Sequence, residues 1–242
     1  MSASDNTITV SGIAVQVVRK GIKNLHLAVY PPNGHVRVAV PEHVTDDNVR
    51  LAIVSKLSWI KKQQQIFHDQ PRQSERQYVS GECHYFLGKA YRLELIEQVG
   101  KPEVKRLKSG RLQLCVRLGS SVVQKDKLLH EWYREQLNEL ISELLKKWQP
   151  IVGKQVSDWG VRKMKTKWGS CNTEQGRIWL NLDLAKKPRE CVEYILVHEL
   201  THLHERHHNE RFKQLLESYL PNWRARQKLL NESPLSHEDW IY

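Results

Sequence analysis

Cysteine is scarce in this 242-residue chain, which has only four copies, at Cys83, Cys115, Cys171 and Cys191. They lie far apart, and none forms a C-x-x-C pair with another. This spacing argues against a zinc finger built on cysteine and against a framework of disulfide bonds. We therefore expect most of the four to be buried and to pack as small hydrophobic side chains.

Long apolar runs are absent as well. No stretch approaches the roughly 20 apolar residues that a membrane-spanning helix needs, and the first residues contain neither the basic region nor the apolar core of a signal peptide. We therefore expect a cytoplasmic protein with no membrane partner. Hydrophobic residues still make up 40% of the chain, which is sufficient for one large domain or two small ones to bury a core.

Acidic residues are outnumbered, with 27 Asp and Glu against 38 Lys and Arg and a formal net charge of +11. This balance favours an anionic partner, and nucleic acid is the first candidate. Two basic clusters are candidate anion-binding sites for the phosphates of a nucleic acid or a nucleotide. The alternative for each is a solvated strand face. The clusters are Arg162, Lys163, Lys165 and Lys167, and Lys101, Lys105, Arg106, Lys108 and Arg111.

The order of the segments predicts the fold class. Alternating and β-branched segments dominate the first half and predict strands, with one helix from about residue 45 to residue 70. After residues 119–121 the composition changes to that of a long helix over about residues 122–148, which we expect Pro150 and Gly153 to end. The sequence therefore predicts an α+β fold with a β-rich N-terminal region at residues 1–120 and a second domain at residues 121–242.

Apolar residues at helical spacing predict which faces are buried. We interpret these stripes as core packing. In the long helix the stripe comprises Tyr133, Leu137, Leu140, Ile141, Leu144 and Trp148. In the helix that follows Pro188 it comprises Val192, Leu196, Leu200 and Leu203.

The segment from His198 to His202 reads His-Glu-x-x-His, which is typical of zinc hydrolases. Residues four apart lie one above the other on a helix, so His198 and His202 can bind one metal ion from one face. Glu199 is then placed to act as the general base toward a water whose pKa the metal lowers. The pattern also arises by chance on surface helices. Here, however, the helix has an apolar stripe, and histidines and a glutamate in a core need a partner.

A catalytic zinc site usually has three protein ligands, so a third must come from outside the motif. We favour His208, which follows His202 by six residues. A straight helix would turn it by about 600°, away from the metal, so the helix must break. We expect His207 to adopt a left-handed backbone at this break, since histidine tolerates positive φ better than most residues. His204, His207 and Glu217 are the alternative ligands.

Several segments resemble the YgjP-like metallopeptidases, which are related to the SprT and WLM families of zincin-like proteases. They comprise residues 164–171 (Met-Lys-Thr-Lys-Trp-Gly-Ser-Cys), 178–181, 194–203, 208, 211–212 and 220–224, and in the N-terminal half residues 59–60, 80–88 and 91–93. The resemblance implies a zincin-like core in which His198, His202 and His208 bind one Zn²⁺ ion per chain and Glu199 is the catalytic acid/base. A different divalent transition metal is an alternative. His207 stands where the family usually has asparagine.

The resemblance also points to a substrate cleft. In zincin-like proteases a strand beside the active helix pairs with an extended substrate, and our candidates for the approach to that cleft are Trp168, Gly169, Ser170 and Cys171. Their alternative role is packing, with the tryptophan in the core and the glycine allowing a close backbone contact. The implied substrates are proteins or peptides, and the related families suggest proteins bound to nucleic acid. Tyr194 and His204 are candidates to stabilise the oxyanion.

Two other functions remain open. A metal-dependent nucleoside triphosphate (pyrophospho)hydrolase would use the basic residues to bind phosphates, but the sequence has no Walker-type loop and no carboxylate cluster for magnesium. A nucleic-acid-binding module with a structural metal would not need Glu199. The sequence therefore favours a zinc-dependent metallopeptidase.

Overall fold

The computed structural model describes residues 5–30, 33–69, 76–164 and 167–232. They form two compact units, which divide between Glu75 and Arg76. The fold class is α+β, as predicted. The composition change near residue 120 falls inside the second unit, because the strands before it and the long helix after it share one hydrophobic core. Within the described ranges, no helix has the length and apolar character needed to cross a bilayer.

The first unit is a four-stranded sheet with two helices. Its elements are β1 (Asp5–Val10), β2 (Ile13–Lys20), β3 (His26–Tyr30), β4 (His35–Pro41), α1 (Asp46–Ser55) and α2 (Leu57–Asp69). The strand order is β1-β2-β4-β3, in which β2 and β4 are parallel and the other two pairs are antiparallel. Valines at alternate positions of β2 and β4 form the buried face of the sheet, because successive side chains of a strand point to opposite faces.

The helix predicted over residues 45–70 is in fact two helices. It begins as expected, with Thr45 as the N-cap that accepts a bond from the backbone N–H of Asn48. It breaks at Lys56, whose backbone N–H bonds to the carbonyl of Ile53 only three residues back and so tightens the turn. Val49, Ile53 and Ile60 are nevertheless buried in the core of this unit.

The second unit contains two sheets and four α-helices. Its strands are β5 (Cys83–Phe86), β6 (Lys89–Glu97), β7 (Glu103–Arg106), β8 (Arg111–Val116), β9 (Asp158–Arg162), β10 (Gly169–Asn172) and β11 (Arg177–Asn181). Its helices are α3 (Val122–Val152), α4 (Arg189–Thr201), α5 (Glu210–Tyr219) and α6 (Trp223–Glu232), with a 3₁₀ helix at Leu182–Lys186. The strand orders are β5-β6-β8-β7 and β10-β11-β9, so β10 is an edge strand.

Helix α3 lies along the core of the second unit. Its N-terminus is a capping box formed by Ser121 and Gln124. All six residues of the predicted stripe are buried, which confirms that face as core. The helix runs through Pro150 and ends at Gly153, whose φ of 70° is the left-handed cap that glycine adopts at low cost. The helix thus ends at Gly153, as expected, whereas the expectation that Pro150 would help to end it was wrong.

The four cysteines are all free thiols, so no disulfide joins them. Cys115 and Cys191 are buried, whereas Cys171 is partly exposed and Cys83 is exposed. The prediction of burial thus holds for two of them. Burial raises the pKa of Cys191 to about 11, which keeps its thiol neutral.

Helix α4 is buried on almost every side, which exceeds the single inward stripe that its sequence predicted. Every residue from 191 to 197 is buried, because α3, α5, α6 and the strands β10 and β11 all pack against it. Glu193 is the charged residue that this environment has to accommodate. Its carboxylate accepts bonds from Lys147 Nζ (2.8 Å), Trp148 Nε1 (2.9 Å) and Arg226 Nη1 (2.5 Å), and so joins α4 to α3 and α6.

We predict that Glu193 stabilises the second unit in a pH-dependent way. Despite the opposing effect of burial, its three donors lower the pKa of its carboxyl from 4.5 to about 2. Because the folded-state pKa is depressed, this stabilisation is present above about pH 4.5 and is lost as the pH falls toward 2. Glu193→Gln should therefore lower the free energy of unfolding by about 1–3 kcal/mol at neutral pH and flatten its fall on acidification. Urea titrations from about pH 7 to about pH 2 measure both effects.

Glu210→Gln is the matched control for this prediction. Glu210 also pairs with a lysine, Lys213, but it lies on the exposed surface, where an ion pair contributes little. Equal destabilisation by the two substitutions would contradict the special role of Glu193.

Candidate active site

Helix α4 presents the motif residues from its last turns. It begins after Pro188, whose fixed φ suits a helix start, and it ends at Thr201 with His202 as the C-cap. Glu199 is buried, whereas His198 and His202 are partly exposed and therefore face the protein surface. The i, i+4 spacing brings the imidazole centroids of His198 and His202 to 4.9 Å from each other.

A tight reversal after α4 brings His208 back to the motif. The N–H groups of Leu203 and His204 bond to carbonyls three residues back, which closes the helix end as a 3₁₀-type turn. Asn209 then caps α5 by accepting a bond from the N–H of Phe212 at 3.0 Å. His208 therefore lies directly before the cap of the next helix, which aims it back at α4.

The proposed hinge at His207 was wrong. The described non-glycine residues with positive φ are Ser11, Tyr78 and Leu87, and His207 is not among them. The reversal instead needs only right-handed turns, because the carbonyls at the end of α4 are satisfied by the residues that follow. His207 is exposed, and its backbone N–H bonds to the carboxylate of Glu205.

Three imidazoles converge at this place. The ligand nitrogens of His198, His202 and His208 all lie within 4.8 Å of one another, and they form the one group of potential metal-ligating side chains found in the described part of the chain. The Nε2 atoms of His198 and His208 are 3.0 Å apart. The Nδ1 atom of His202 lies 3.1 Å from the carbonyl of Glu205, an arrangement in which Nδ1 donates and Nε2 keeps its lone pair.

The electrostatics of the cluster favour neutral histidines. Burial is the main cause that lowers the pKa of His198, which falls to about 3, and the nearby His202 and His208 contribute to this shift. Burial likewise lowers the pKa of His202. Among the described residues the buried Nδ1 of His198 has no hydrogen-bond partner, so His198 does not resemble an ordinary satisfied core histidine. Neutral imidazoles with available lone pairs are the form in which histidine binds metal.

Two of the three alternative ligands, His204 and Glu217, are engaged elsewhere. His204 Nε2 lies 2.7 Å from the carbonyl of Val152 at the end of α3. Glu217 accepts bonds from Trp223 Nε1 at 2.7 Å and from Arg224. Tyr194, a candidate for the oxyanion, is buried and stacks on Trp223 rather than lining the cavity beside the histidines. Its role at the oxyanion stays an unsupported prediction.

Phe212 is a site residue that the motif alone did not reveal. It is buried, and its ring centroid lies 4.7–4.9 Å from each of the three imidazole centroids. Its contact with all three rings restricts their rotation. The signal that could have found it was its place in residues 211–212, one of the segments that resemble the family.

Glu199 lies directly against the backbone of Gly169. A Cβ atom on Gly169 would be 2.6 Å from Glu199 Oε1 and 2.8 Å from its Cγ, so only glycine leaves room for this carboxylate. Burial raises the pKa of Glu199 to about 8, and the ammonium group of Lys167 opposes this shift. The close backbone contact proposed for Gly169 is therefore present, and the atom it accommodates belongs to the motif glutamate.

Asn181 holds the approach to β10, and it too lay outside the predicted site. Its fully buried side chain donates to the carbonyls of Met164 (2.9 Å) and Lys167 (2.8 Å) and accepts from the N–H of Asp183 (3.2 Å). Its backbone N–H bonds to the carbonyl of Trp168 at 2.9 Å. Met164, Lys167 and Trp168 are thereby held in place, which fixes where Gly169 meets Glu199.

The histidines and Glu199 open on a cavity of about 690 Å³. All four predicted cleft residues, Trp168, Gly169, Ser170 and Cys171, line it. β10 forms one wall, and because it pairs only with β11 its other edge is without a strand partner within the described ranges. The arrangement places an open strand edge beside the three imidazoles, which is what strand addition by a substrate requires. Ile195 and Arg206 also line the cavity.

The three described residues of this candidate anion-binding group, Arg162, Lys163 and Lys167, have different surroundings. Lys167 lines the cavity, whereas Arg162 lies over the ring of Trp179 at 5.0 Å. Lys163 is near the carboxylates of Asp183 and Asp126, and burial lowers its pKa. Lys165 lies outside the described residues. Anion binding by this group therefore stays a prediction.

Some of the basic residues on the β7–β8 hairpin already have partners. Lys105 pairs with Glu103 at 2.5 Å, and Arg111 lies 3.8 Å from Glu94. Arg106 lies 5.3 Å from the ring centroid of Phe86. These pairs reduce the charge that this hairpin offers to a polyanion.

Comparison with known proteins decides the family. The chain matches the family model described as YgjP-like, metallopeptidase domain, over residues 23–233. The chain belongs to the YgjP-like metallopeptidase family. It is therefore a metal-dependent peptidase, a hydrolase whose substrates are proteins or peptides, and the family implies a catalytic metal ion. The resemblance recognised in the sequence is confirmed. No curated protein matches the chain.

Two solved structures show a more limited similarity. The metallopeptidase zymogen abylysin of Pyrococcus abyssi is 28% identical, with a TM-score of 0.33 over 36% of this chain and 86% of that chain. The metallopeptidase zymogen jannalysin of Methanocaldococcus jannaschii is 18% identical, with a TM-score of 0.33 over 37% of this chain and 92% of that chain.

We predict that Gly169→Ala impairs this YgjP-like peptidase without disrupting its fold. The new methyl group would displace the Glu199 carboxylate, and a displacement of about 1 Å at a catalytic group costs about 100-fold in rate. Hydrolysis of casein, together with thermal unfolding, measures the two effects separately.

Gly160→Ala is a matched control in the same sheet. A Cβ atom there would be equally crowded, at 2.5 Å from Trp179 Cζ3, but it lies away from Glu199. If the two variants lose stability alike and activity alike, the contact with Glu199 has no special role.

Proposed function

We propose that this metallopeptidase is zinc-dependent, that His198, His202 and His208 are its three metal ligands, and that Glu199 is its general base. The observation that carries the proposal is the convergence of three imidazoles, with ligand nitrogens within 4.8 Å of one another, on the cavity that Glu199 also lines. Three protein ligands with an open side are the usual arrangement of catalytic zinc, whereas structural zinc sites are closed by four.

The donor set suits zinc. Imidazole nitrogens are preferred by zinc and by some other transition metals, whereas magnesium and calcium prefer oxygen ligands. Two nitrogens bound to one tetrahedral zinc ion lie about 3.3 Å apart, given Zn–N distances of about 2.0–2.1 Å. The 3.0 Å separation of the His198 and His208 Nε2 atoms is close to that value. The bond from His202 Nδ1 to Glu205 supplies the outer support that orients a metal-bound histidine.

Glu199 supplies the proton transfers. Its carboxylate accepts a proton from the attacking water and returns it to the leaving amine nitrogen, as a general base and then a general acid. Burial and the contact with Gly169 hold the carboxylate in one place. A zinc ion held by the three histidines would supply Lewis acidity and, through its charge, would favour the ionised form of Glu199. Cys171 is not a competing nucleophile, because burial and the nearby Glu199 raise its pKa to about 11.

The substrate pairs with β10 in this proposal. Backbone N–H and C=O groups on the open edge of the strand bind an extended peptide, and Trp168 offers apolar surface to its side chains. The scissile bond then lies between the strand edge and the histidines. Nucleotide hydrolysis and a structural metal with nucleic acid gain no support from the described residues, because Arg162 lies over Trp179 and Lys105 and Arg111 each lie beside an acidic residue. Proteins bound to nucleic acid stay a predicted substrate class.

His208→Ala tests the third ligand. We expect the variant to bind zinc far more weakly than the wild type. Loss of an outer hydrogen-bond partner lowers metal affinity by about 10–100-fold, and loss of a ligand itself should lower it by more. Zinc content after dialysis against a competing chelator measures it. His207→Ala, the neighbouring exposed histidine, is the matched control and should retain zinc. Stoichiometric zinc in His208→Ala would show that another residue is the ligand.

Glu199→Gln tests the general base. The glutamine keeps the size of the side chain and should leave zinc binding intact, but it cannot accept the proton, so we expect peptidase activity to fall by about 10²–10⁴-fold. Casein hydrolysis and zinc content are measured on the same sample. A variant that keeps both its zinc and its full activity would contradict the assignment.

A further inference from the structure

The cavity beside the histidines carries two free positive charges. Lys167 and Arg206 both line it, and both are exposed. No described residue forms an ion pair with either of them, in contrast to cations elsewhere in this unit such as Arg177, Arg189 and Arg226, each of which has an acidic partner. The two charges are therefore available to a molecule that enters the cavity.

The described acidic residues that line the cavity form no ion pair with these cations. They are Glu199 and Glu174. Glu199 is buried against Gly169, and Lys167 acts on it electrostatically without an ion pair between them. Glu174 follows the C-terminal end of β10, whereas Lys167 precedes its N-terminal end. Four strand residues span about 13 Å, which exceeds the screening length of about 10 Å at 0.1 M salt.

Both cations lie along the path of a peptide that is paired with β10. Lys167 lies two residues before β10, on the segment that Asn181 holds in place. Arg206 lies in the reversal between α4 and α5 that carries His208. A peptide paired with β10 thus passes a cation at the start of the strand and another on the histidine side of the cavity. A concave site lined by charges of one sign strengthens their field on a ligand.

We propose that Lys167 and Arg206 make this cleft selective for peptide segments with acidic side chains near the scissile bond. The proposal rests on the proposed peptidase function of the same site. Glutamate or aspartate in the substrate forms ion pairs with the two cations, whereas lysine or arginine is repelled. The cleft therefore disfavours the lysine- and arginine-rich tails that proteins use to bind nucleic acid, which narrows the class of substrate that the fold alone allows.

Three quenched fluorescent peptides test the proposal. They share one apolar centre and differ only in the two residues on each side of it, which are all Glu, all Gln or all Lys. We expect kcat/KM of the wild type to be about tenfold higher for the Glu peptide than for the Lys peptide. This ratio should approach one when the salt concentration rises to about 1 M, because the screening length is then about 3 Å.

Charge reversal assigns the effect to the two residues. Lys167→Glu and Arg206→Glu should each lower the Glu-to-Lys ratio, and the double variant should invert it. Lys125→Glu makes the same change of charge at a partly exposed cation in the first turn of α3, outside the cavity, and should leave the ratio unchanged. Lys167→Gln and Arg206→Gln should give intermediate ratios and serve where a reversal destabilises the protein.

The outcomes distinguish failure of the specificity proposal from failure of the proposed peptidase function. If the wild type cleaves the Gln peptide but prefers the Lys peptide or shows no preference, the specificity proposal is wrong and the peptidase function stands. The same holds if the Lys125→Glu variant changes the ratio as much as the cavity variants do. If none of the three peptides is cleaved by zinc-loaded protein, the proposed function fails and the specificity proposal with it.

Discussion

The deep burial of helix α4 is the constraint on which the site depends. Helices α3, α5 and α6 and the strands β10 and β11 surround it, and the Glu193 carboxylate joins it to α3 and α6. A helix fixed on all sides cannot rotate, so the side chains at its open end keep one orientation. That rigidity gives a single helix turn the precision needed to hold two imidazoles and a carboxylate together.

The sequence predicted the parts of the site that follow from local geometry. His198 and His202 come together because helical spacing brings them together. His208 was also placed correctly with them, since a third ligand and a broken helix were both required. The mechanism of the break was wrong. Histidine's tolerance of positive φ suggested a left-handed hinge at His207, but hydrogen bonds at the end of α4 and the Asn209 cap make the turn without one.

The remaining features depend on contacts between distant segments, which periodicity does not report. Gly169 meets Glu199 from 30 residues away in the sequence, and Asn181 satisfies backbone groups of a segment about 14–17 residues before it. The apolar stripe of α4 likewise understated its burial, because a stripe records one packing face whereas this helix has several. The order of the segments correctly predicted the α+β class. The change in composition at residue 120, however, marks the change from strands to a long helix inside one hydrophobic core.

The open edge of β10 has a consequence for how such an enzyme meets folded proteins. Only a segment that has left its own secondary structure can pair with a strand edge, because its backbone groups must be free. The rate at which a folded protein is cut then follows the fraction of time that its segment spends locally unfolded, which is set by the stability of that segment. A peptidase that binds its substrate in this proposed way would sample the conformational stability of its targets, so damaged or unassembled chains would become substrates before intact ones.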